Sequence, residues 1–208
     1  MSSTLYYVHD PMCSWCWGFK PALDELLKGL PDSVRVQRIL GGLAPDSDQP
    51  MPEAMQQMLQ QTWQQIQSVI PGTSFNYDFW TRNQPRRSTW PSCRAVLAAR
   101  RQNEAFEVPM ILAIQRAYYL DARNPSDTQT LIDIATEIGC DADGFSEYLH
   151  SEAAHRELET ERNMAQQLQV QGFPSLIYRN DRNQLYRIPV NYNQAAQMLE
   201  QITQANAA

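Results

Sequence analysis

The stretch DPMCSWCWGF, residues 10–19, places Cys13 and Cys16 two residues apart at a change of secondary-structure pattern. The segment before it, TLYYV at residues 4–8, is rich in the aromatic and β-branched residues that strands favour. After it, leucines recur every three or four residues as far as Lys28, which predicts an amphipathic helix. The cysteine pair is therefore expected where a strand ends and a helix begins.

This position has a chemical consequence for Cys13. The first turn of a helix exposes unpaired N–H groups and the positive end of the helix dipole, and both stabilise a thiolate. Cys16, one turn later, is expected to point toward the core and to stay protonated. Such a pair suits disulfide exchange, because Cys13 can attack a disulfide and Cys16 can then release the partner. Ser14 and Trp15 between them carry no positive charge, which predicts a less oxidising pair than a motif containing a cation.

Two other interpretations of the pair remain open. The first is an inert pair of buried thiols. The second is part of a zinc site, which needs four ligands and commonly a second close pair. Cys93 and Cys140 stand alone, and His150 and His155 are five residues apart, which does not place both on one helix face. We therefore expect no metal.

The remaining chain reads as strand, helical block, hairpin and helix. SVRVQRIL at 33–40 predicts a second strand, and residues 52–169 are helical in pattern. Turns are expected in that block at Pro71-Gly72, Pro85, Pro91, Pro125 and Gly139. SLIYRN and QLYRIPV predict a hairpin, and NYNQAAQMLEQI predicts a final helix capped by Asn191 or Asn193. This order predicts an α/β fold, a small mixed sheet with helices on both faces.

Pro174, in QGFPSLIY, precedes a strand that should be central in the sheet. Proline is unusual there because it donates no ladder hydrogen bond. A cis Phe173–Pro174 bond in a loop facing the cysteines would explain it, and would leave the Phe173 backbone free to pair with an extended substrate. An ordinary trans proline at the start of a strand is the alternative.

Together, Cys13-Ser14-Trp15-Cys16 after a first strand, Pro21, and Phe173-Pro174 before the hairpin resemble the DsbA-like branch of the thioredoxin superfamily. DPMCSWCWG is especially similar to the bacterial subgroup described as predicted protein-disulfide isomerases, near the FrnE-type proteins and the 2-hydroxychromene-2-carboxylate isomerases. The resemblance implies a thioredoxin fold with a large α-helical insertion. Residues 1–44 and 152–208 would form the thioredoxin-fold domain, and residues 45–151 the inserted helical subdomain.

The resemblance also implies roles for individual residues. Cys13 would be the nucleophile, Cys16 the resolving cysteine and Pro174 the cis proline. Pro21 would kink the first helix, and Trp15 and Trp17 would line the thiol face. With Phe173 and Pro174, these two tryptophans are the candidate substrate-binding residues. The implied activity is thiol–disulfide exchange in the reductase or isomerase direction, with no bound cofactor and with glutathione as a candidate co-substrate. The alternative is a glutathione-dependent isomerase or kappa-type glutathione transferase acting on a small aromatic substrate. Those relatives usually replace the first cysteine with serine, whereas this chain keeps both cysteines.

Weaker signals allow two interpretations each. His9 either approaches and stabilises the Cys13 thiolate or closes the first strand, and Asp10 is a candidate cap for the turn into the helix.

A basic stretch either receives glutathione carboxylates or forms a solvated helix face; it comprises Arg82, Arg86, Arg87, Arg94, Arg100 and Arg101. An apolar stripe is either core or a sticky surface for holding peptides, as a non-enzymatic binding module would need; it comprises Met55, Met58, Leu59, Trp63 and Ile66.

The charge and the apolar pattern of the sequence exclude some classes of binding partner. The net charge of -6 and the pI near 5.1 argue against nucleic acid. No apolar run is long enough to span a membrane, and the opening MSSTLYYVHD lacks the basic region and apolar core of a signal peptide. We therefore expect a cytoplasmic protein, monomer or homodimer, whose partners are protein or small-molecule thiols and disulfides.

Overall fold

The computed structural model describes residues 3–207, and its four strands form one mixed sheet. The strands are β1 (Ser3–His9), β2 (Val34–Leu40), β3 (Ser175–Arg179) and β4 (Leu185–Ile188), in the order β2-β1-β3-β4. β2 runs parallel to β1, whereas β3 is antiparallel to β1 and β4 to β3. The predicted α/β fold and the terminal hairpin are confirmed.

The helices follow the predicted order, with one correction. They are α1 (Ser14–Gly29), α2 (Glu53–Val69), α3 (Phe79–Arg82), α4 (Trp90–Gln102), α5 (Glu107–Tyr119), α6 (Thr128–Glu137), α7 (Ala142–Leu149), α8 (Glu152–Gln167) and α9 (Ala195–Ala207). The turn predicted at Pro91 is wrong, because Pro91 lies in the first turn of α4, where its missing N–H leaves no helical bond unmade. No helix within residues 3–207 is both long enough and apolar enough to cross a membrane.

Helices cover both faces of the sheet because alternate side chains of β1 point to opposite sides. Leu5 and Tyr7 pack with α1 and α9 on one face. Tyr6 and Val8 pack on the other face, where Ala165 of α8 joins them. β1, paired on both edges and buried along its whole length, is thus the centre of the fold.

Helices α2 to α7 share a core of their own. Trp63 is fully buried in it, with ring centroids 4.8 Å from Phe75 and 4.9 Å from Trp80. Met12 and Leu40, from the sheet-forming part of the chain, belong to the same cluster. Since this core crosses the predicted boundaries, the division into residues 1–44, 45–151 and 152–208 stays a prediction.

The apolar stripe of α2 is core only in its C-terminal half. Trp63 and Ile66 are fully buried, but Met58 is 52% exposed, and Met55 and Leu59 are half-buried. The core interpretation therefore fits Trp63 and Ile66, whereas the first turns of α2 lie at the edge of the core cluster.

Arg100 joins the inserted helices to the sheet. Its guanidinium donates to Glu107 of α5 at 3.1 Å, to Glu157 of α8 at 2.9 Å and to Glu161 of α8. The other oxygen of Glu161 accepts from the backbone N–H of Leu40, at the end of β2, at 2.6 Å. Burial raises the pKa of Glu161, and the adjacent Arg100 opposes that shift. One cation therefore ties together α4, α5, α8 and β2.

We expect Arg100→Ala to destabilise the protein by about 2 kcal/mol, because it leaves Glu161 buried without its cation. Arg101→Ala is the matched control: Arg101 is exposed and stacks 4.7 Å over the Tyr148 ring, so its loss should cost under about 1 kcal/mol. Urea denaturation at neutral pH measures both. Equal losses would contradict the role given to Arg100.

Candidate active site

Cys13 is the N-cap residue of α1, as the sequence predicts. Its backbone is extended, with φ -81° and ψ 115°, and its carbonyl accepts from the N–H of Trp17 at 3.1 Å. The N–H of Cys13 donates to the carbonyl of Asp10 at 3.0 Å, which closes a tight turn between β1 and α1. The Cys13 sulfur therefore lies at the end of the helix where N–H groups are unpaired.

Cys16 lies in the first turn of α1 and is 1% exposed. Burial, and then the neighbouring Cys13, raise the pKa of the Cys16 thiol well above its usual value. The two cysteines are free thiols. The pair thus combines a thiol at the helix end with a second thiol that stays protonated behind it.

The loop before β3 faces Cys13. The sequence left a cis and a trans bond open, and the Phe173–Pro174 bond is cis. The Cys13 thiol donates to the carbonyl oxygen of Phe173, with 3.5 Å between sulfur and oxygen. The backbone of Phe173 therefore borders the reactive sulfur.

Trp15 and Trp17 are each held by an aromatic partner that the sequence did not reveal. The Trp15 ring lies 5.3 Å from that of Tyr192, and the Trp17 ring stacks at 5.7 Å on that of Tyr119. Trp17 also donates from Nε1 to the carbonyl of Ser74 at 3.0 Å. No periodicity or spacing links residues 119 and 192 to the cysteine motif, so only the folded chain shows these contacts.

Ser14 and Pro21 are both part of α1. Ser14 is its first residue and is half-buried, one position after the Cys13 N-cap. Pro21 is exposed, and α1 continues beyond it to Gly29. The tuning role implied for both residues stays a prediction.

His9 is the last residue of β1 and is fully buried. Its ring stacks on that of Tyr7 at 4.7 Å, and within the described chain neither ring nitrogen has a hydrogen-bond partner. Burial, and then the charge of Arg38, lower the pKa of His9 to about 3. A neutral imidazole offers no cation to a thiolate, so closing the strand is the interpretation that fits.

Asp10 carries more contacts than a simple turn cap. Its Oδ1 accepts from the N–H of Met12 at 2.8 Å, and its Oδ2 accepts from the N–H of Leu43 at 2.7 Å and the hydroxyl of Thr89 at 2.6 Å. The Cys93 thiol also faces Oδ2 at 3.6 Å. Burial raises the pKa of Asp10, and these donors oppose the shift. The carboxyl group holds the cysteine turn against β2 and α4.

The two remaining cysteines are buried free thiols. Cys93 is fully buried in the first turn of α4, and burial, then Asp10, raise the pKa of its thiol. Cys140 is also buried, which raises the pKa of its thiol. In the part of the chain that the structure describes, no three His, Cys, Asp or Glu side chains are grouped as metal ligands.

Most of the basic stretch is engaged internally. Four of its arginines form ion pairs: Arg82 with Asp78, Arg86 with Asp127, Arg94 with Asp46, and Arg100 with three glutamates. Arg101 stacks on Tyr148. These contacts favour the interpretation as a solvated helix face with ion pairs over a site for glutathione carboxylates, because four of the six charges are paired within the protein.

Gly41, the first residue after β2, shapes the site. The Phe173 ring packs directly over it, and a Cβ on Gly41 would lie 1.9 Å from Cζ of that ring. Gly41 also donates its N–H to the carbonyl of His9 at 2.7 Å. Only a residue without a side chain lets Phe173 occupy this position.

Comparison with known families agrees with this geometry. A sequence-family profile described as thioredoxin matches residues 6–201. The chain belongs to the thioredoxin family.

Solved structures show the same fold over the full chain. A protein from Nitrosomonas europaea, provisionally described as a protein disulfide isomerase, superposes with a TM-score of 0.84 at 23% identity, covering 99% of this chain and 97% of that one. The cytosolic disulfide reductase DsbM from Pseudomonas aeruginosa has a TM-score of 0.80 at 24% identity, covering 99% and 100%. A second DsbM structure, with GSH, has a TM-score of 0.73 at 25% identity, covering 98% and 96%. The fold is that of the DsbA-like thiol–disulfide oxidoreductases, as the resemblance implied.

Curated sequence relatives carry a different name. The ClpXP adapter protein SpxH of Bacillus subtilis is 24% identical over 184 residues, which cover 86% of this chain. The matched region spans 59% of the length of SpxH, so the relative is substantially longer.

Gly41→Ala should push the Phe173 ring away from β2 and disturb its carbonyl contact with the Cys13 thiol. We expect a loss of stability of about 1–3 kcal/mol, as for other overpacked sites, and an alkylation rate of Cys13 changed at least threefold. Gly172→Ala, in the same loop, is the control, because a Cβ there meets nothing within 4 Å. Unchanged alkylation in Gly41→Ala, measured by mass spectrometry with iodoacetamide, would contradict this packing role.

Proposed function

We propose that this protein is a thiol–disulfide oxidoreductase whose Cys13 and Cys16 exchange disulfides with protein or small-molecule thiols. One observation carries the proposal: Cys13 is the N-cap of α1 beside the Phe173 carbonyl, and the protonated Cys16 is buried one turn behind it. Disulfide exchange requires a nucleophilic sulfur, which unpaired N–H groups stabilise as the thiolate, and a second thiol that resolves the mixed disulfide.

In the reductive direction the exchange takes two steps. The Cys13 thiolate attacks one sulfur of a substrate disulfide, that S–S bond breaks, and the leaving thiolate takes a proton from solvent. Cys16 then loses its proton and attacks the Cys13 sulfur, which releases the second substrate thiol and leaves a Cys13–Cys16 disulfide. In the oxidative direction the same bonds form and break in reverse.

The loop at Phe173 and Pro174 supplies a surface for an extended substrate. Pro174 has no N–H, and the Phe173 carbonyl borders the sulfur, so a substrate strand can pair there with exposed backbone groups. Trp15 and Trp17 add flat apolar surfaces beside the thiol, each supported by a tyrosine. We assign substrate binding to these four residues.

A reductase or isomerase role in the cytoplasm is the form of this activity that we favour. Neither Ser14 nor Trp15 offers a cation to stabilise the reduced pair as a thiolate, and the nearby His9 is neutral. The fully buried Asp10 carboxyl adds no positive charge either. DsbM, which shares the fold, is described as a cytosolic disulfide reductase.

Glutathione is the co-substrate that we infer for regenerating the reduced pair, since a DsbM structure contains GSH. The competing possibility is glutathione-dependent isomerisation or kappa-type transfer to a small aromatic molecule. That chemistry uses glutathione itself as the nucleophile, so it should survive in Cys13→Ser. Disulfide exchange, by contrast, should be lost in Cys13→Ser.

A second candidate function is protein binding without chemistry, which the adapter name of the SpxH relatives supports. An adapter bound through the helical insertion would keep its partner when both thiols are removed. A Cys13→Ser, Cys16→Ser double variant therefore separates the two functions.

Cys13→Ser should reduce disulfide exchange with insulin at least a hundredfold, because the attacking sulfur is gone. Cys16→Ser should instead accumulate a mixed disulfide between Cys13 and its substrate, visible by mass spectrometry, because the release step is lost. Cys140→Ala, which removes a buried thiol outside the site, is the control and should exchange at the wild-type rate. Full activity in Cys13→Ser would rule out the proposed function.

A further inference from the structure

A cleft between α1 and α5 reaches Cys16 and is used by none of the steps above. Its volume is about 420 Å³ including its open mouth, and Cys13 is not among its lining residues. The buried side chains of Tyr7, Cys16 and Gln115 line its deep part, and the exposed Val108 lies at its rim. We call it the α1–α5 cleft. It is separate from the Phe173 loop, where the proposed substrate binds.

The walls of the cleft are aliphatic. Leu23 and Leu27 of α1 lie four residues apart, so both face the cleft from one side. Ile111 and Leu112 of α5 face it from the other side. Two facing aliphatic walls favour an occupant with a hydrocarbon body of a few carbons.

Two hydrogen-bond donors line the cleft. Gln115 is 3% exposed, and its amide can donate hydrogen bonds. Arg38 forms an ion pair of 3.5 Å with Glu107. Glu107 is shared with Arg100, which it meets at the shorter distance of 3.1 Å. Because Arg38 is held only at this longer distance and both donors border an open cleft, a ligand that accepts hydrogen bonds can bind them there.

The charges on the lining favour an anion. Lys20 and Asp24 neutralise each other in an ion pair of 2.5 Å. Arg38 is then the remaining charged group that lines the cleft. Its planar guanidinium suits a carboxylate, which can accept two of its N–H groups at once.

We propose that the α1–α5 cleft binds a small carboxylate with an aliphatic body. The carboxylate accepts hydrogen bonds from Arg38 and Gln115, and the body packs between the leucines of α1 and Ile111 and Leu112 of α5. Since Cys16 lines the same cleft, a bound carboxylate places negative charge near its sulfur and disfavours the Cys16 thiolate. The ligand would therefore slow the second step of exchange. That consequence rests on the proposed function, whereas binding does not.

The binding test uses hexanoate, with hexylammonium as a probe of the same length and opposite charge. We expect hexanoate to bind the wild-type protein with a millimolar dissociation constant, as suits so small a ligand, and to shift the NMR signals of the Gln115 side chain. Hexylammonium should bind at least tenfold more weakly. Comparable binding of the two probes, or hexanoate shifts confined to other regions, would overturn the site.

Variants locate the site. Gln115→Leu should weaken hexanoate binding at least fivefold, and Ile111→Trp should abolish it by filling the cleft. Thr73→Trp is the control, because Thr73 lines a different cleft beside Trp17 and Pro21. If Ile111→Trp does not fold, Gln115→Leu still tests the site. It replaces the amide by a side chain of similar size, so we expect this variant to fold. Wild-type affinity in a folded Gln115→Leu would overturn the proposal.

The effect on exchange is measured separately. A mixed disulfide is prepared on Cys13, and release of its thiol by Cys16 is followed with and without hexanoate. We expect release to slow severalfold in the wild type and not in Gln115→Leu at the same concentration. Binding without any exchange activity would refute the proposed function and leave the site intact. Exchange without hexanoate binding would refute the site alone.

Discussion

The hydrogen bonds to the buried carboxyl group of Asp10 are the contacts on which the rest of the candidate site depends. They reach the turn that carries Cys13, the chain after β2 at Leu43, and Thr89, the N-cap residue of α4. Thr89 in turn accepts from the N–H of Ala44, so its hydroxyl is held on both sides. Removing the carboxyl group would leave several buried donors without acceptors, each at a cost of about 1–3 kcal/mol. The thiol turn and the helical insertion are therefore fixed to each other by one side chain.

Sheet topology explains why distant parts of the sequence meet beside Cys13. β1 and β2 are parallel, so His9 and Leu40 end at the same edge of the sheet. β3 is antiparallel to β1, so it begins at that edge, with Ser175 paired to Val8. The three segments that follow or precede these ends carry the cysteines, Gly41 and the Phe173 loop. Close packing of the Phe173 ring on Gly41 then sets the distance from that loop to the Cys13 sulfur.

Much of this arrangement is predictable because it depends on local signals. Leucine spacing predicts α1, aromatic and β-branched residues predict β1, and the short segments SLIYRN and QLYRIPV predict the hairpin. All three form as predicted. The turn predicted at Pro91 was wrong because a proline is as common in the first turn of a helix as in a turn between helices. The α2 stripe could not be divided into core and surface from the sequence, because periodicity shows which face is apolar but not how far the core extends. Tyr119, Tyr192 and the partners of Asp10 could not be predicted, since their contacts join residues far apart in sequence. The ion pairs of Arg86 and Arg100 depend on the same long-range packing.

The reduction potential of the Cys13–Cys16 pair tests the central claim most directly. Trp15 and Trp17 lie beside the thiols, so their fluorescence can follow oxidation in a series of glutathione or dithiothreitol buffers. No cation lies between the cysteines. We therefore predict a reversible disulfide with a potential nearer the roughly -270 mV of thioredoxin than the roughly -120 mV of DsbA. Failure to form a reversible disulfide would contradict the assignment as an oxidoreductase, and a value near -120 mV would contradict the reductive role.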